Sequence, residues 1–280
     1  YRKIRNTMRY ALGNLHDYDP KRHRVPGQDL AELDKYMLRR LDELLQSVKE
    51  DYKNFAFRKA ARAVVDFCIL DLSSLMLDAS KDRLYTLGAS APQRRSAQTA
   101  LFEILLTLLK LLAPVLSFTC EEAWQELKKL PCGAELEESI FLTAFPDAVY
   151  FKAGAEVEEK WNKIRQIRQS VLKALEEARQ QGLIGAPLEA AVIFNSNDNA
   201  AKDFLKATLP VWPEAAIISA AAVDDAPGAE PLSVKVEHAK GQKCPRCWRW
   251  VQDLGADNNH PGLCPRCAQV LEKENINVEA

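Results

Sequence analysis

Apolar positions recur with helical spacing through roughly the first two thirds of the chain, and the period then shortens. Ile4, Met8, Ala11, Leu12 and Leu15 share one face of a helix over 1–18, with Arg2, Arg5, Asn6 and Arg9 opposite and Asp19-Pro20 closing it. A longer amphipathic helix is predicted over 29–51, through Leu30, Leu33, Met37, Leu41, Leu44, Leu45 and Val48. Asn54 reads as the N-cap of a third helix that runs to about Leu77 through Phe57, Ala61, Val64, Cys68 and Leu75. After a loop with Gly88 and Pro92 comes a strongly apolar helix over 93–112, ended by Pro114. Thr119 and Glu122 then form a capping box opening a short helix through Trp124 and Leu127. Long helices with short connections predict a bundle, with the leucine stripes as its core.

The pattern weakens over 133–154, an extended connector, and returns over 155–181 with Val157, Trp161, Ile164, Ile167, Val171, Leu172, Leu175 and Ala178 before Gly182 stops the helix. From there the chain reads as strand (190–194), helix (200–209), strand (216–222) and strand (232–237). The predicted architecture is mainly α: a helical bundle over 1–150, a helix with a small α/β junction domain over 151–238, and a four-cysteine module with its tail over 239–280.

The third region is marked by Cys244-Pro245-Arg246-Cys247-Trp248 and Leu263-Cys264-Pro265-Arg266-Cys267, with sixteen residues between the two Cys-x-x-Cys pairs. Each such turn aims two sulfurs at one point, and the intervening loop brings the second pair round to complete a tetrahedron. Cys244, Cys247, Cys264 and Cys267 are therefore read as the ligands of one Zn2+, against the alternative of two disulfides or unrelated buried thiols. Four protein ligands leave no position for an activated water, so the metal is structural. Cys68, Cys120 and Cys132 are scattered through the helices, a usage that suits a reducing cytoplasm.

Composition changes this picture little. Of 280 residues 47% are hydrophobic and 28% charged, and no apolar run reaches membrane-span length. The chain opens on Tyr1-Arg2-Lys3, already helical in style, and is expected to be a piece of something longer. Net charge is −1, yet residues 1–62 hold fifteen Lys/Arg against nine Asp/Glu, and 240–267 hold five against two. Basic ends of this kind suit a phosphate-bearing partner as well as they suit solvated helix faces. No phosphate-cradling glycine loop, nucleophile elbow or His-Glu-x-x-His motif occurs, and His16, His23, His238 and His260 are not spaced as a metal or catalytic set.

Four stretches resemble one known family in its own order. Ile4-Arg5-Asn6-Thr7-Met8-Arg9-Tyr10-Ala11-Leu12-Gly13-Asn14-Leu15 with Asp19-Pro20, and Leu112-Ala113-Pro114-Val115-Leu116-Ser117-Phe118-Thr119-Cys120-Glu121-Glu122-Ala123-Trp124, are similar to the anticodon-binding helical domain of bacterial isoleucyl-tRNA synthetases. Arg179 with Leu183–Ala190 resembles the turn into that family's C-terminal junction, and the two cysteine knuckles with Asp253-Leu254-Gly255 resemble its C-terminal zinc module. The resemblance implies a class Ia anticodon-binding bundle, a junction domain and a zinc-ribbon-like module. It also implies what lies outside this chain: the ATP-using catalytic domain with its His-Ile-Gly-His and Lys-Met-Ser-Lys-Ser signatures, and the editing domain. By itself the chain is then expected to be inactive.

The implied partner is the anticodon arm of isoleucine tRNA, with neither DNA nor a membrane, and the implied state is a cytoplasmic monomer. Loop bases are read by stacking and by hydrogen bonds to exposed edges, and their phosphates need nearby cations. Arg246 and Trp248 are the first candidates for tRNA contact, followed by Arg5, Asn6 and Arg9 on the first helix. Lys21, Arg22 and Arg24 are weaker phosphate candidates. Against Trp248 stands packing over the zinc module, unless Trp250 is its core residue instead. His260, inside the knuckle loop, is the alternative to one cysteine as ligand, though four thiolates suffice, and whether it or the Gly255–Gly262 loop faces RNA or solvent stays open. Competing readings are a stand-alone zinc-ribbon RNA-binding or interaction module, and a DNA-glycosylase-type zinc-finger protein. The second lacks the N-terminal amine nucleophile such enzymes need.

Overall fold

The structure, a computed structural model, describes residues 1–226 and 228–274. Its contacts divide the chain into two compact units, Tyr1–Leu84 with Ala89–Trp161, and Tyr85–Gly88 with the chain from Asn162 on.

The first unit is helical. Its elements are α1 (Arg2–Asn14), the single turn α2 (Pro20–His23), α3 (Glu32–Lys53), α4 (Phe57–Asp66), α5 (Leu77–Ala79), α6 (Lys81–Thr86, whose last two residues count with the second unit), α7 (Pro92–Leu112) and α8 (Ser117–Lys128). Between α4 and α5 the helix widens into π turns over Phe67–Met76. The predicted stripes are the core: Leu33, Met37, Leu41, Leu45 and Val48 on α3 and Leu101, Leu105, Leu108 and Leu112 on α7 are all at most 1% exposed. Cys68 is fully buried, and burial pushes its thiol up to about 11. One buried ion pair fastens the bundle. Asp34 accepts from both Nη1 (2.6 Å) and Nη2 (2.9 Å) of Arg83 and from the Ser96 hydroxyl (2.5 Å).

Three local expectations fail here for identifiable reasons. Asn54 does not open a helix; it closes α3, its side chain donating to Glu50 Oε1. The chain then reverses through Phe55, at φ +57, with Phe55 N–H donating to Tyr52 O and Ala56 N–H to Asp51 O. This is the hydrogen-bond pattern of a Schellman stop, made without the usual glycine. The Thr119–Glu122 capping box is also absent. Tight turns through Val115 and Leu116 start α8 three residues earlier, leaving Thr119 within it, and its N-cap Leu116 offers no side-chain cap. Finally, α3 begins at Glu32, because Gly27–Asp29 forms a 3-10 turn after Pro26.

The long helix α9 (Ala155–Gln180) leads on, and Gly182 ends it at φ +73 as expected. In the second unit β1 (Ala190–Asn195) is central, parallel to β2 (Ala220–Val223) and antiparallel to β3 (Ser233–His238). α10 (Asn199–Thr208) and the short α11 (Trp212–Ala215) make the crossover. Ala190, Val192 and Phe194 alternate inward, and Trp212 closes on Phe194 at 4.8 Å between ring centroids. The strand expected from Ala216 starts only at Ala220. Ile217, at φ +58, ends α11 in another glycine-free reversal, with Ile218 N–H donating to Pro213 O. β4 (Gln242–Lys243), β5 (Trp250–Val251) and α12 (Pro265–Lys273) build the cysteine module. Among the described residues no helix is long and apolar enough to cross a membrane.

Candidate metal centre and nucleic-acid interface

The first knuckle is a hairpin. Lys243 pairs with Trp250 across β4 and β5, Cys244 N–H donates to Arg249 O at 2.9 Å, and Trp248 N–H donates to Cys244 O at 2.8 Å. Gly241 is needed at its entrance: at φ +97 a Cβ would lie 2.0 Å from Val251 O. The second knuckle is the start of α12. Cys264 is its N-cap residue and Pro265 occupies the first turn, where a missing N–H costs nothing. Gly255, at φ +77, folds the intervening loop back, its N–H donating to Leu263 O at 2.9 Å.

These turns place the four sulfurs of Cys244, Cys247, Cys264 and Cys267 within 4.8 Å of one another, all buried. Cys247 and Cys264 sulfurs are 3.8 Å apart. A tetrahedron with zinc–sulfur bonds of about 2.3 Å has sulfur–sulfur edges of about 3.8 Å, so the cluster has the size zinc requires. Val251, Leu254 and Leu263 pack around it. The Cys247 thiol is held down to about 4, first by its hydrogen bond with Cys267, then by the Arg249 backbone and the Arg266 guanidinium. The same bond pushes Cys267 up. The N-terminal end of α12 also favours thiolate at Cys264 and Cys267. The site is a structural zinc centre whose sphere is closed by protein; His260 lies outside the ligand set.

The candidate RNA contacts fall into three groups. Arg246 is half-buried, one guanidinium nitrogen donating to Thr86 O at 2.6 Å and reaching Cys267 Sγ at 3.6 Å. Arg266 reaches Thr86 Oγ1 at 3.3 Å, so both guanidiniums brace the knuckles against Tyr85–Gly88. Trp248 is different. Its side chain is 60% exposed at φ +64, with Lys243 Nζ 5.7 Å from the ring centroid. Trp250 is the bracing tryptophan: its backbone N–H donates to Ser219 Oγ and its ring meets His238 edge-on at 4.5 Å.

On α1, Arg5, Asn6 and Arg9 stand exposed on the face opposite Ile4, Thr7, Met8 and Ala11, and no side-chain partner engages them among the described residues. Arg24, by contrast, is already engaged at the bundle surface, paired with Glu103 at 2.6 Å and stacked on Tyr150 at 4.4 Å. Lys21 pairs with Glu135 at the surface, and Arg22 sits beside Asp19. Helical periodicity foresaw the α1 face. Nothing in the residue pattern signalled that Arg246 would be tied to a carbonyl 160 positions away.

Residues 34–194 match the family described as the anticodon-binding domain of tRNA ligase, and residues 241–270 match the zinc finger found in FPG and IleRS. The chain is 42% identical over 278 residues to the isoleucine–tRNA ligase of Carboxydothermus hydrogenoformans, which covers 98% of this chain and 30% of that protein. It is 39% identical over 277 residues to the isoleucine–tRNA ligase of Thermotoga maritima, again 98% of this chain and 30% of the relative. For the isoleucine–tRNA ligase of Geobacillus kaustophilus the identity is 38% over 283 residues, with the same coverage. The chain thus spans about 30% of the length of these relatives. With a helical bundle, a closed four-thiolate centre and a family match over more than half its length, this chain belongs to the anticodon-binding domain family of tRNA ligases.

Proposed function

We propose that this chain is the part of an isoleucine–tRNA ligase that grips the anticodon arm of isoleucine tRNA, so that the distant acceptor end can meet a catalytic site carried elsewhere. ATP and the aminoacylation chemistry belong to that other part. The observation that carries the reading is Trp248. A bulky residue at left-handed φ costs about 1–2 kcal/mol relative to glycine, and its ring is nevertheless turned to solvent at the rim of the zinc module. Its backbone closes the knuckle turn, its N–H donating to Cys244 O at 2.8 Å, while the ring is left 60% exposed, and an unstacked loop base would find a rigid face there. Lys243 beside the ring and Arg5, Asn6 and Arg9 on α1 supply unpaired donors for phosphates and base edges. Arg246 acts mainly on the knuckle itself, keeping Trp248 in place, with its remaining donors free to reach RNA.

The zinc contributes no bond-making step. It holds both knuckles so that the indole is presented with little conformational freedom left to lose on binding. The test is titration of the chain with the anticodon stem-loop of isoleucine tRNA and with stem-loops of altered anticodon. Trp248→Ala is expected to weaken cognate binding by about 1–3 kcal/mol, roughly 5- to 150-fold, with zinc content unchanged. Binding should also fall with rising salt. Equal affinity for every anticodon would instead support a nonspecific RNA-binding or interaction module.

A further inference from the structure

Neither family match covers residues 195–240, yet this stretch ends beside the exposed tryptophan of the zinc module. β3 runs out at His238, and Ala239-Lys240-Gly241 turns the chain straight into β4 of the first knuckle. Hydrogen bonds join the sheet to the hairpin. Ala239 is buried and its N–H donates to Glu189 O at 2.7 Å, while Trp250 of β5 donates its backbone N–H to Ser219 Oγ at 2.8 Å. Gly241, at φ +97 with no room for a Cβ, keeps the turn tight.

Two exposed lysines flank that glycine, Lys240 and Lys243. Neither makes a hydrogen bond or an ion pair among the described residues. The carboxylates nearest them are held by other groups. Glu237 pairs with Lys235 at 2.8 Å, and Glu189 accepts the Gly185 N–H at 2.7 Å. Lys240 attracts the first and Lys243 the second only at longer range. Other cations of this unit show the contrast. Lys202 is buried, its ammonium donating to Ala226 O at 2.6 Å, and both Arg246 and Arg266 turn to Thr86. The two lysines stay in water on a fixed turn, with Lys243 Nζ 5.7 Å from the Trp248 ring centroid.

The anion that suits this position is a sugar–phosphate backbone. A base stacked on Trp248 carries a phosphate on either side, and lysine is a compact, flexible point charge that holds phosphate without reading sequence.

We propose that Lys240 and Lys243 form a phosphate clamp that takes the RNA backbone beside the base stacked on Trp248, so that the α/β sheet shares the interface with the zinc module. The clamp rests on the RNA reading above and divides its work: the ring and the α1 donors select, whereas the lysines hold any sequence.

The experiment is the stem-loop titration at several salt concentrations, with the double variant Lys240→Gln, Lys243→Gln beside the unsubstituted chain. Each phosphate contact on a single strand adds about 0.7 to the slope of log affinity against log salt, so losing two lowers it by about 1.4. Between about 50 and 200 mM salt the double variant is therefore expected to lose about sevenfold less affinity than the unsubstituted chain. Its affinities for cognate and altered stem-loops should fall by one common factor.

An unchanged slope overturns the clamp. With it, self-association of the double variant would assign the lysines to guarding the sheet edge. Loss of anticodon discrimination in the double variant also overturns the clamp, because the lysines would then act on base edges. Should the double variant lose zinc or melt earlier, the two single substitutions replace it, each with an expected drop in slope of about 0.7 and the same overturning result. Equal affinity of the unsubstituted chain for every anticodon would count against the ligase reading while the slope still tests the clamp. Retained discrimination with an unaltered slope would sink the clamp alone.

Discussion

Phe55 and Trp248 are the same device built on two different foundations. Each is a large aromatic, well exposed, on a left-handed backbone where glycine would fit more easily. Phe55 is held by the hydrogen-bonded end of α3, backed by a bundle whose buried leucines lie at most 8% exposed. Trp248 is held by a hairpin of two-residue strands around four thiolates, with only Val251, Leu254 and Leu263 packed about them. A large apolar core makes the first position insensitive to any ligand. A module too small to bury such a core makes the second depend on its metal. The lesson is that an exposed aromatic can be equally rigid on either foundation, while its vulnerabilities are opposite.

Metal removal should separate the two most strongly. Structural zinc contributes on the order of 10–16 kcal/mol to small modules, so Cys264→Ser or a chelator is expected to collapse the knuckles and abolish stem-loop binding. The main helical melting transition should persist; a single cooperative loss of both, followed by circular dichroism and zinc release, would break the comparison. The converse cut is Asp34→Asn. It leaves Arg83 buried without its carboxylate and should cost about 3–5 kcal/mol of bundle stability in denaturant titration, with zinc stoichiometry retained.

Smaller effects test the aromatics themselves. Trp248→Gly relieves the backbone strain and removes the ring. Zinc content should hold while stem-loop affinity drops by about 1–3 kcal/mol, and loss of zinc would make the ring structural. Arg246→Ala is expected to lower both, because its guanidinium ties Cys267 to Thr86. The smallest effect is assigned to Phe55→Gly, which should raise bundle stability by about 1 kcal/mol as the left-handed strain is released. A fall in melting temperature would show that its edge contact with Phe57 outweighs that strain.

Much of this molecule is legible in one dimension. The leucine stripes of α3 and α7 and the stop at Gly182 follow from local periodicity and glycine's freedom. Helix boundaries without a glycine were not legible. Asn54 carries the chemistry of an N-cap and serves as a C-cap, since what decides is the left-handed Phe55 after it, and no residue preference announces phenylalanine there. The zinc ligands were readable because ligand spacing is a local property of each knuckle. The division between Trp248 and Trp250 was not, because two tryptophans two residues apart differ only in what each one meets.

The amino-acid sequence by itself determined a helical bundle, a small mixed module and a four-cysteine site, all properties set by spacing within a few turns of chain. Only the tertiary structure decided which basic and aromatic side chains remain available. Arg24 and Arg246 are drawn into carboxylates and carbonyls from remote segments, while Arg5, Arg9, Trp248 and Phe118 are left to solvent. The physical reason is that a polar or aromatic group's partner is chosen by proximity in space. Residues scores of positions apart compete for it, and no local pattern records the outcome.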